Sequence, residues 1–573
     1  MSCHGRADGA QTEERDPHGV TFPGRPALDK SPLKMQIQET QQYRSNPLIS
    51  AEESVLAQSR AYFAVAMLTL LAACSDQQNG PTSPSTSDRL PGLAAGGGGN
   101  GESSLDLIEE DYAAGLLDKN NVNRYREYAV SSPGKLPGKY RSAEKGKDAT
   151  YSMVLMARDW DALSEATKQE ILDLRANGLS QLKETLTTPH FVLHYTTQGN
   201  EAVPAQDNDR NGVSDYIDAA AESWETVWDR EIIQLGYPAP LGTPAQKFHV
   251  YYRDLRSYYG VTYVDNLVLQ QTSPVPLGTA TGYIIVENDF AEGFPPNDED
   301  VTGNEVIRSG ALKVTQAHEF MHAIQFNINV YQSGWLFESH ATWAEDAVYD
   351  GINDWRWYIN RFLINPELPV FNRYVYGSAF FMNYLSENYG VDVTRQIWLQ
   401  ARTASTPDAV RLAAFGDSWE PMKAFAPAEY LLDISDFTRD GSSVIPRPNR
   451  LFIRAQHASY PLNVTVPAST NQVANRAPWG LGANFIEFLP DGSGSLVVTF
   501  DGADGFAWRG FVIATPARGG SAASQTPVVL DSGSSGTVTV RDFGSRWSKV
   551  TLVATIADRP GSEVPYSYSA SIQ

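Results

Sequence analysis

Residues 317–326 read AHEFMHAIQF, which places two histidines four positions apart. On a helix, His318 and His322 lie one turn apart on the same face, so both imidazoles can bind a single metal ion. Glu319 lies beside them, where it can take a proton from water at that metal. Residues 304–326 contain no proline and one glycine, Gly310, as expected of a buried helix. The plain alternative is a pair of histidines that only pack in a helical core.

The third ligand of a catalytic zinc site has to come from elsewhere in the chain. Such sites use three protein ligands and keep the fourth position for water or substrate. Residues 335–346 read WLFESHATWAED, a second predicted helix that is rich in metal-binding side chains. Glu338, His340, Glu345 and Asp346 all compete for the role, and spacing alone leaves the choice open.

The segment WLFESHATWAE resembles the WLNEGF segment of M1-type aminopeptidases, which belong to the gluzincin branch of zinc metallopeptidases. The resemblance implies that Glu338 binds zinc and that Glu345 supports a ligand by hydrogen bonding, with Glu345 as ligand the alternative. Fifteen residues separate His322 from Glu338, fewer than is usual in that family, so a tighter connection is expected. A closer resemblance, over residues 189–390, is to secreted bacterial metalloproteases that carry HEFxHAIQF followed by ExxATWxED.

The same resemblance implies a fold and a mechanism. The fold would be an α+β zincin-like catalytic domain, in which a β-sheet and an active-site helix are joined to a helical subdomain. Residues 373–377, RYVYG, resemble the YxKG element of the aminopeptidases, whose tyrosine stabilises the oxyanion, so Tyr374 is the predicted donor and Tyr376 the alternative. By the same analogy, the strand at residues 279–289 is expected to be the edge strand that pairs with an extended substrate.

A second metal motif is independent of the first. Residues 207–218 read DNDRNGVSDYID and lead into a predicted helix. Oxygen ligands at loop positions 1, 3, 5, 9 and 12, with glycine at position 6, are typical of a calcium loop of the EF-hand kind. The predicted calcium ligands are Asp207, Asp209, Asn211, Asp215 and Asp218, with the backbone carbonyl of Val213. The alternative is an Asx-rich turn in which Ser214 caps the helix.

Composition excludes several classes of function. The chain has 573 residues, enough for more than one domain. Its 67 acidic residues outnumber 45 basic ones, for a net charge of −22. Nucleic acids and anionic membranes select basic surfaces, so neither is an expected partner. Two cysteines allow no disulfide framework.

The N-terminal region predicts export. Residues 61–73, AYFAVAMLTLLAA, are 13 uncharged residues that follow Arg60. The run is too short to span a membrane and fits the apolar region of a signal peptide. It ends at Cys74 in a sequence that resembles the bacterial lipobox, which implies a lipid anchor on that cysteine. Residues 1–74 are therefore predicted to be a misassigned start followed by a lipoprotein signal peptide, and residues 75–104 a flexible linker.

The remaining chain divides into three predicted regions. Residues 105–185 have helical patterning and no catalytic constellation, which indicates a prosegment or a helical cap. Residues 186–444 form the predicted metallopeptidase domain with its calcium loop. Residues 445–573 consist of short β-branched and aromatic runs separated by turn residues, which predicts an all-β antiparallel sandwich.

The sequence as a whole predicts a secreted or surface-anchored peptidase that hydrolyses peptide bonds with zinc-activated water. Its partner is a peptide or protein substrate, and calcium is expected as a structural ion. Two other classes of function remain open. One is a cell-surface binding or adhesion lipoprotein whose metal site is not catalytic, and the other is a zinc hydrolase that acts on something other than protein.

Overall fold

The computed structural model describes residues 102–291, 309–435, 476–517, 522–559 and 561–573, together with the backbone of 453–455 and 462–466. The predicted signal peptide, the lipid-anchor residue Cys74 and nearly all of the predicted linker lie outside these residues. Among the helices that the structure describes, none combines the length and the apolar character needed to cross a lipid bilayer.

Four helices form the N-terminal layer, which is defined here as residues 102–182. They are α1 (Ser104–Ala113), α2 (Lys119–Ser131), α3 (Thr150–Asp159) and α4 (Glu165–Leu179). Ser103 and Asp106 form a capping box at the start of α1, and each side chain bonds the backbone N–H of the other residue. Apolar side chains of these helices pack with Val261 and Tyr263 of the following sheet in one buried cluster.

A five-stranded sheet follows, in the order β1-β2-β3-β5-β4. Its strands are β1 (Glu184–Thr187), β2 (Phe191–Tyr195), β3 (Phe248–Arg253), β4 (Gly260–Gln271) and β5 (Leu277–Glu287). The neighbours β2, β3 and β5 run parallel, whereas β1 and β4 pair antiparallel at the two ends. The sheet therefore has a parallel centre between two antiparallel outer strands.

The prediction that residues 279–289 form the edge strand is wrong. They belong largely to β5, which lies between β3 and β4. The edge strand is β4, which forms a hairpin with β5. Its second half, from Asp265 onward, carries mostly exposed side chains, as expected of an edge strand.

Three long helices carry the motifs, and the first two of them pack on the sheet. They are α5 (Asp215–Trp228), α6 (Ser309–Ile328) and α7 (Gly334–Val348). Helix α6 is buried along almost its whole length, and Phe320 on it packs edge-on against Phe191 of β2 and Trp224 of α5. Ser333 caps α7, since its hydroxyl accepts a hydrogen bond from the Leu336 N–H. A short capped connection therefore brings α7 back against α6.

Shorter helices complete this region around α7. They are α8 (Ile359–Leu363), α9 (Ala379–Tyr389), α10 (Asp392–Gln400), α11 (Thr406–Val410) and α12 (Phe425–Leu431). Trp335 of α7 donates its indole N–H to the Ser378 hydroxyl at 2.9 Å, and its ring packs on Phe371. Buried tryptophan of this kind fixes how α7 sits among its neighbours.

The C-terminal region is built of strands. They are β6 (Ile453–Ala455), β7 (Leu462–Val466), β8 (Ala483–Phe488), β9 (Gly494–Gly502), β10 (Trp508–Pro516), β11 (Ser524–Val528), β12 (Ser535–Phe543), β13 (Trp547–Ile556) and β14 (Tyr566–Ile572). They join in one mainly antiparallel sheet, whose core includes Phe500, Trp508 and Leu552. The predicted α+β class, with helices and two β-sheets, is confirmed in this general form.

Candidate metal centre

Three predicted ligands meet between α6 and α7. His318 and His322 point their Nε2 atoms to the same place, and the Glu338 carboxylate comes from the facing helix. The Glu338 Oε2 atom lies 3.3 Å from His318 Nε2 and 3.6 Å from His322 Nε2. All three side chains are buried. The four-residue spacing on α6 therefore directs both imidazoles to one point, as the motif predicts.

Hydrogen bonds fix the orientation of both imidazoles. His318 Nδ1 donates to Glu345 Oε1 at 2.7 Å, and His322 Nδ1 donates to Gln325 Oε1 at 2.8 Å. A proton on Nδ1 leaves the lone pair on Nε2 free to bind a metal. Glu345 thus lies behind His318, on the side away from the cluster. Gln325 was not identified from the sequence, although it lies three positions after His322 on the same helix.

A fourth side chain joins the cluster from the N-terminal layer. Asp148 Oδ2 lies 3.5 Å from His322 Nε2, and its other oxygen accepts hydrogen bonds from the backbone N–H and hydroxyl of Thr150. One ligand atom from each of Asp148, His318, His322 and Glu338 lies within 4.8 Å of every other. No sequence motif marks Asp148, which precedes His318 by 170 residues.

The cluster fits a zinc ion. Asp148 Oδ2, both histidine Nε2 atoms and the Glu338 oxygens are buried and have no hydrogen-bond partner among the described residues. Ligands about 2.0–2.1 Å from a tetrahedral zinc are separated by about 3.3–3.4 Å, close to the distances found here. Burial opposes protonation of His322, but the Glu338 and Asp148 carboxylates outweigh it and raise its pKa well above the usual value. The site therefore attracts positive charge.

Glu319 lies beside the cluster without joining it. Its carboxylate accepts hydrogen bonds from the hydroxyls of Thr262 at 2.7 Å and Thr150 at 3.0 Å. Burial, reinforced by the negative charge of Asp148, raises the pKa of Glu319 well above its usual value. Strand β4 passes so close that a Cβ on Gly260 would lie 2.6 Å from Glu319 Oε1. The edge strand thus runs directly over the candidate proton acceptor.

The two candidate tyrosines lie at different depths. The Tyr376 ring contacts the His318 ring, with centroids 6.3 Å apart, and Tyr376 lines a pocket together with Glu338 and Asp148. Tyr374 packs against Tyr376 from behind and faces the Arg361 guanidinium. The alternative residue, Tyr376, is therefore the tyrosine that contacts the cluster.

His340, one of the competing candidates on α7, faces away from the cluster. Its Nε2 atom lies 2.7 Å from the Tyr237 hydroxyl, and its Nδ1 atom lies 3.2 Å from the Gln325 amide nitrogen. Burial lowers the pKa of His340 to about 3, so the ring is neutral. His340 thereby belongs to the hydrogen-bonded layer that holds Gln325 behind His322.

The predicted calcium loop brings three of its carboxylates together. Asp207, Asp209 and Asp215 each place an oxygen within 4.8 Å of the others. One Asp215 oxygen is buried without a hydrogen-bond partner in the described part of the chain. The amide group of Asn211 bonds Asp209 at 3.1 Å and Asp218 at 2.8 Å. Three of the five predicted side-chain ligands therefore converge, whereas Asn211 and Asp218 are joined to each other by a hydrogen bond and are not in that group.

The backbone of the loop has the turn that a calcium loop requires. Gly212, at loop position 6, has φ +90°, a conformation that favours glycine. Val213, the predicted carbonyl ligand, donates its N–H to the Asn211 side chain at 2.7 Å. Ser214 caps α5, because its hydroxyl accepts from the Tyr216 N–H. The features of the calcium loop and of the alternative capped turn are both present.

Comparison with known proteins identifies the family of this chain. The chain belongs to a family of unknown function, DUF6055, which matches residues 165–519. The match includes His318, His322 and Glu338, whereas Asp148 precedes it. The curated proteins contain no match to this chain.

One solved structure with some similarity is a family GH115 4-O-methyl-α-glucuronidase with specificity for decorated arabinogalactans. It is 10% identical, and the similarity covers 46% of this chain and 39% of that chain, with a TM-score of 0.14. A TM-score this low gives no basis for assigning a shared fold or substrate.

Proposed function

We propose that this protein is a zinc-dependent peptidase of gluzincin type. The observation that carries the proposal is the convergence of three buried donor atoms without hydrogen-bond partners among the described residues, from His318, His322 and Glu338. Glu319 stands next to them without being needed as a ligand. Because metal binding alone does not require that carboxylate, its presence favours hydrolysis.

The side chains divide the work of peptide hydrolysis among them. His318, His322 and Glu338 would hold a zinc ion, which would provide Lewis-acid chemistry toward water and a carbonyl oxygen. Glu319 takes the proton of the attacking water and later delivers it to the leaving amine. Tyr376, which contacts His318, is the better placed tyrosine to donate a hydrogen bond to the carbonyl oxygen as negative charge develops there.

The arrangement of helix and sheet supports a zincin-like fold for this region. Helix α6 lies against β4 and β5, and Thr262 of β4 hydrogen-bonds the Glu319 carboxylate. An extended peptide that added to the side of β4 opposite β5 would pass beside Glu319 and the metal ligands. We therefore assign substrate capture to β4, in place of the strand at residues 279–289.

A second candidate function is a cell-surface binding protein with a non-catalytic metal site. The observation in its favour is Asp148, which provides a fourth protein ligand. Structural zinc sites are closed by four protein ligands, whereas catalytic sites keep one position open. The two functions differ in whether any form of the chain hydrolyses protein.

Two further assignments belong to the same proposal. The loop of Asp207, Asp209 and Asp215 binds calcium, which ties the start of α5 to the strand before it. The protein works outside the cytoplasm, held by a lipid anchor at Cys74 or released, as the apolar run at residues 61–73 indicates.

Substitution of Glu319 by glutamine tests the proposed function. Glu319→Gln leaves the ligands untouched, so zinc content should be unchanged, while casein hydrolysis should fall by at least about 10²-fold through loss of the general base. Because Asp148 fills a fourth position, the comparison is made in the native chain and in the Asp148→Asn chain. Undiminished casein hydrolysis by the Glu319→Gln chains would refute the mechanism. The absence of casein hydrolysis by every zinc-loaded chain would also refute it.

A further inference from the structure

We propose that residues 146–150 are an intramolecular inhibitor, in which Asp148 closes the metal centre and the adjoining backbone covers the start of the edge strand. Residues 146–150 are called the plug below. This inference rests on the peptidase function proposed above and adds how that site is kept inactive. It assigns a purpose to the N-terminal layer, for which the sequence leaves a prosegment and a helical cap as alternatives.

The plug pairs with the residues that lead into β4 and with the first residue of that strand. Gly146 donates its N–H to the Ser257 carbonyl at 2.7 Å, and the Tyr259 N–H donates to the Lys147 carbonyl at 3.1 Å. Asp148 and Gly260 then form a parallel β-bridge. The other side of β4 is paired with β5. The plug therefore occupies the start of the β4 edge, beside Glu319, to which an extended substrate would add.

The side chain of Asp148 fills what would be the open position of a catalytic site. Its Oδ2 atom joins the two histidines and Glu338, and its Oδ1 atom is held by Thr150 at 2.7 and 2.9 Å. The pocket beside the cluster has room for about one water, with about 10 Å³ of free volume. All of the residues that line it, except Glu338 and Tyr376, come from the N-terminal layer. A peptide has no access to the cluster in this form.

An ion-pair network locks the plug in place. Lys147 is buried, lies 3.1 Å from Glu345 and pairs also with Asp354. Glu345 also accepts a hydrogen bond from His318. The plug therefore contacts the metal cluster through Asp148 and the residue that orients His318 through Lys147.

The connection to the rest of the chain suits removal by proteolysis. Residues 180–183 link α4 to β1, and Ser180, Gln181 and Lys183 are exposed. Exposed connections of this kind are preferred cleavage sites. Another peptidase that hydrolyses one bond here would leave a new carboxylate and a new amine. The N-terminal layer would then be a separate chain, able to dissociate and uncover β4.

The test uses the whole chain and the variants Asp148→Asn and Asp148→Ala. Asparagine can keep the hydrogen bonds to Thr150 but is a poor metal ligand. Alanine removes both side-chain oxygens that could bind a metal. Asp173→Asn, at an exposed aspartate of α4, is the matched control. Thermal unfolding of each zinc-loaded protein verifies that it is folded. A second route to the open site is to cleave the chain within residues 180–183 and to remove the N-terminal layer from the remainder.

Two readouts separate this inference from the peptidase function. The first is binding of acetohydroxamate to the cobalt(II)-loaded proteins, followed by the visible absorption spectrum. We expect at least about 10-fold tighter binding in both Asp148 variants than in the native and Asp173→Asn chains, because only they have an open position. The second is casein hydrolysis, which should rise at least about 10-fold in the same variants and after removal of the N-terminal layer.

Each outcome distinguishes the two proposals. Equal acetohydroxamate binding in all four proteins would overturn the inhibitor. Equal and measurable casein hydrolysis by native and variant chains would also overturn the inhibitor, and it would leave the peptidase standing. Tighter acetohydroxamate binding in the Asp148 variants without hydrolysis in any form would support Asp148 as the closing ligand and refute the peptidase. Gains in both readouts would support both.

Discussion

At the scale of single residues, the metal centre depends on which nitrogen of each histidine is free. Glu345 and Gln325 bond the Nδ1 atoms of His318 and His322, so both Nε2 lone pairs face Glu338. Ligands held in this way bind metal without reorganisation, and the partners that orient them tune affinity. The two carboxylates of α7 therefore act differently, since Glu338 faces the ion position and Glu345 holds a ligand.

Removal of these two carboxylates should have unequal effects on zinc binding. Glu338→Ala deletes a ligand and should empty the site, or weaken zinc by far more than 100-fold. Glu345→Ala leaves all ligands in place and should weaken zinc by about 10- to 100-fold. Zinc content after dialysis against a graded series of chelator concentrations measures both. If the Glu345 variant loses zinc first, the ligand assignment on α7 is wrong.

At the scale of elements, the position of β4 over α6 is set by a glycine. Gly260 allows the strand to approach the Glu319 side chain, because any Cβ there would collide with it at 2.6 Å. Thr262, two residues along the same strand, bonds both the backbone carbonyl and the carboxylate of Glu319. The edge strand and the candidate general base are therefore positioned by the same contacts.

Substitution of Gly260 by alanine should displace Glu319 and lower activity. The methyl group has to push the carboxylate or the strand aside, and misplacement of about 1 Å can cost about 10²-fold in rate. Gly138→Ala is the control, since a Cβ at that position meets nothing within 4 Å. Casein hydrolysis and zinc content are measured in the Asp148→Asn background. Unchanged hydrolysis together with a normal unfolding temperature would contradict the assigned position of Glu319.

The calcium loop is a second element whose role can be measured. Calcium that binds only the folded chain stabilises it by about 2.7 kcal/mol at 100 times the Kd. Thermal unfolding of the zinc-loaded protein should therefore shift upward with added calcium. The shift should disappear in a chain with Asp207→Asn and Asp209→Asn and persist in Asp265→Asn, an exposed aspartate of β4. A calcium shift of the same size in all three chains would exclude the loop as the site.

At the scale of the whole molecule, the metal centre is assembled from distant parts of the chain. Asp148 comes from the N-terminal layer, the histidines from α6 and Glu338 from α7. Long-range contacts of this kind make the site dependent on the complete fold of this region. The same dependence allows the N-terminal layer to control the site, because its ligand belongs to a segment joined to the sheet by an exposed link.

The cellular position of the protein follows from its N-terminal sequence and is tested separately. Cys74→Ser removes the thiol that the proposed lipid anchor requires, so the protein should move from the membrane fraction to the soluble extracytoplasmic fraction. Immunoblots of fractionated cells measure the change, with the native chain as the reference. A Cys74→Ser chain that still sediments with membranes would rule out this anchor.

The sequence by itself determined the local parts of the site. The spacing of His318 and His322 on one helix face follows from helical periodicity, and the predicted calcium loop follows from a short local pattern. The choice of Glu338 among the candidates on α7 came from the resemblance to M1-type aminopeptidases. The general α+β class, with a strand-rich C-terminal region, could likewise be predicted from periodicity.

Only the tertiary structure decided which parts meet. Asp148 belongs to a polar stretch with no motif, and its contact with His322 spans 174 residues, a pairing that local patterns cannot encode. The order of strands placed β4 rather than β5 at the edge, because sheet order depends on how connections pack and not on the hydrophobicity of one strand. The choice between Tyr374 and Tyr376 likewise required the packing around His318, since both lie in the same five residues of sequence.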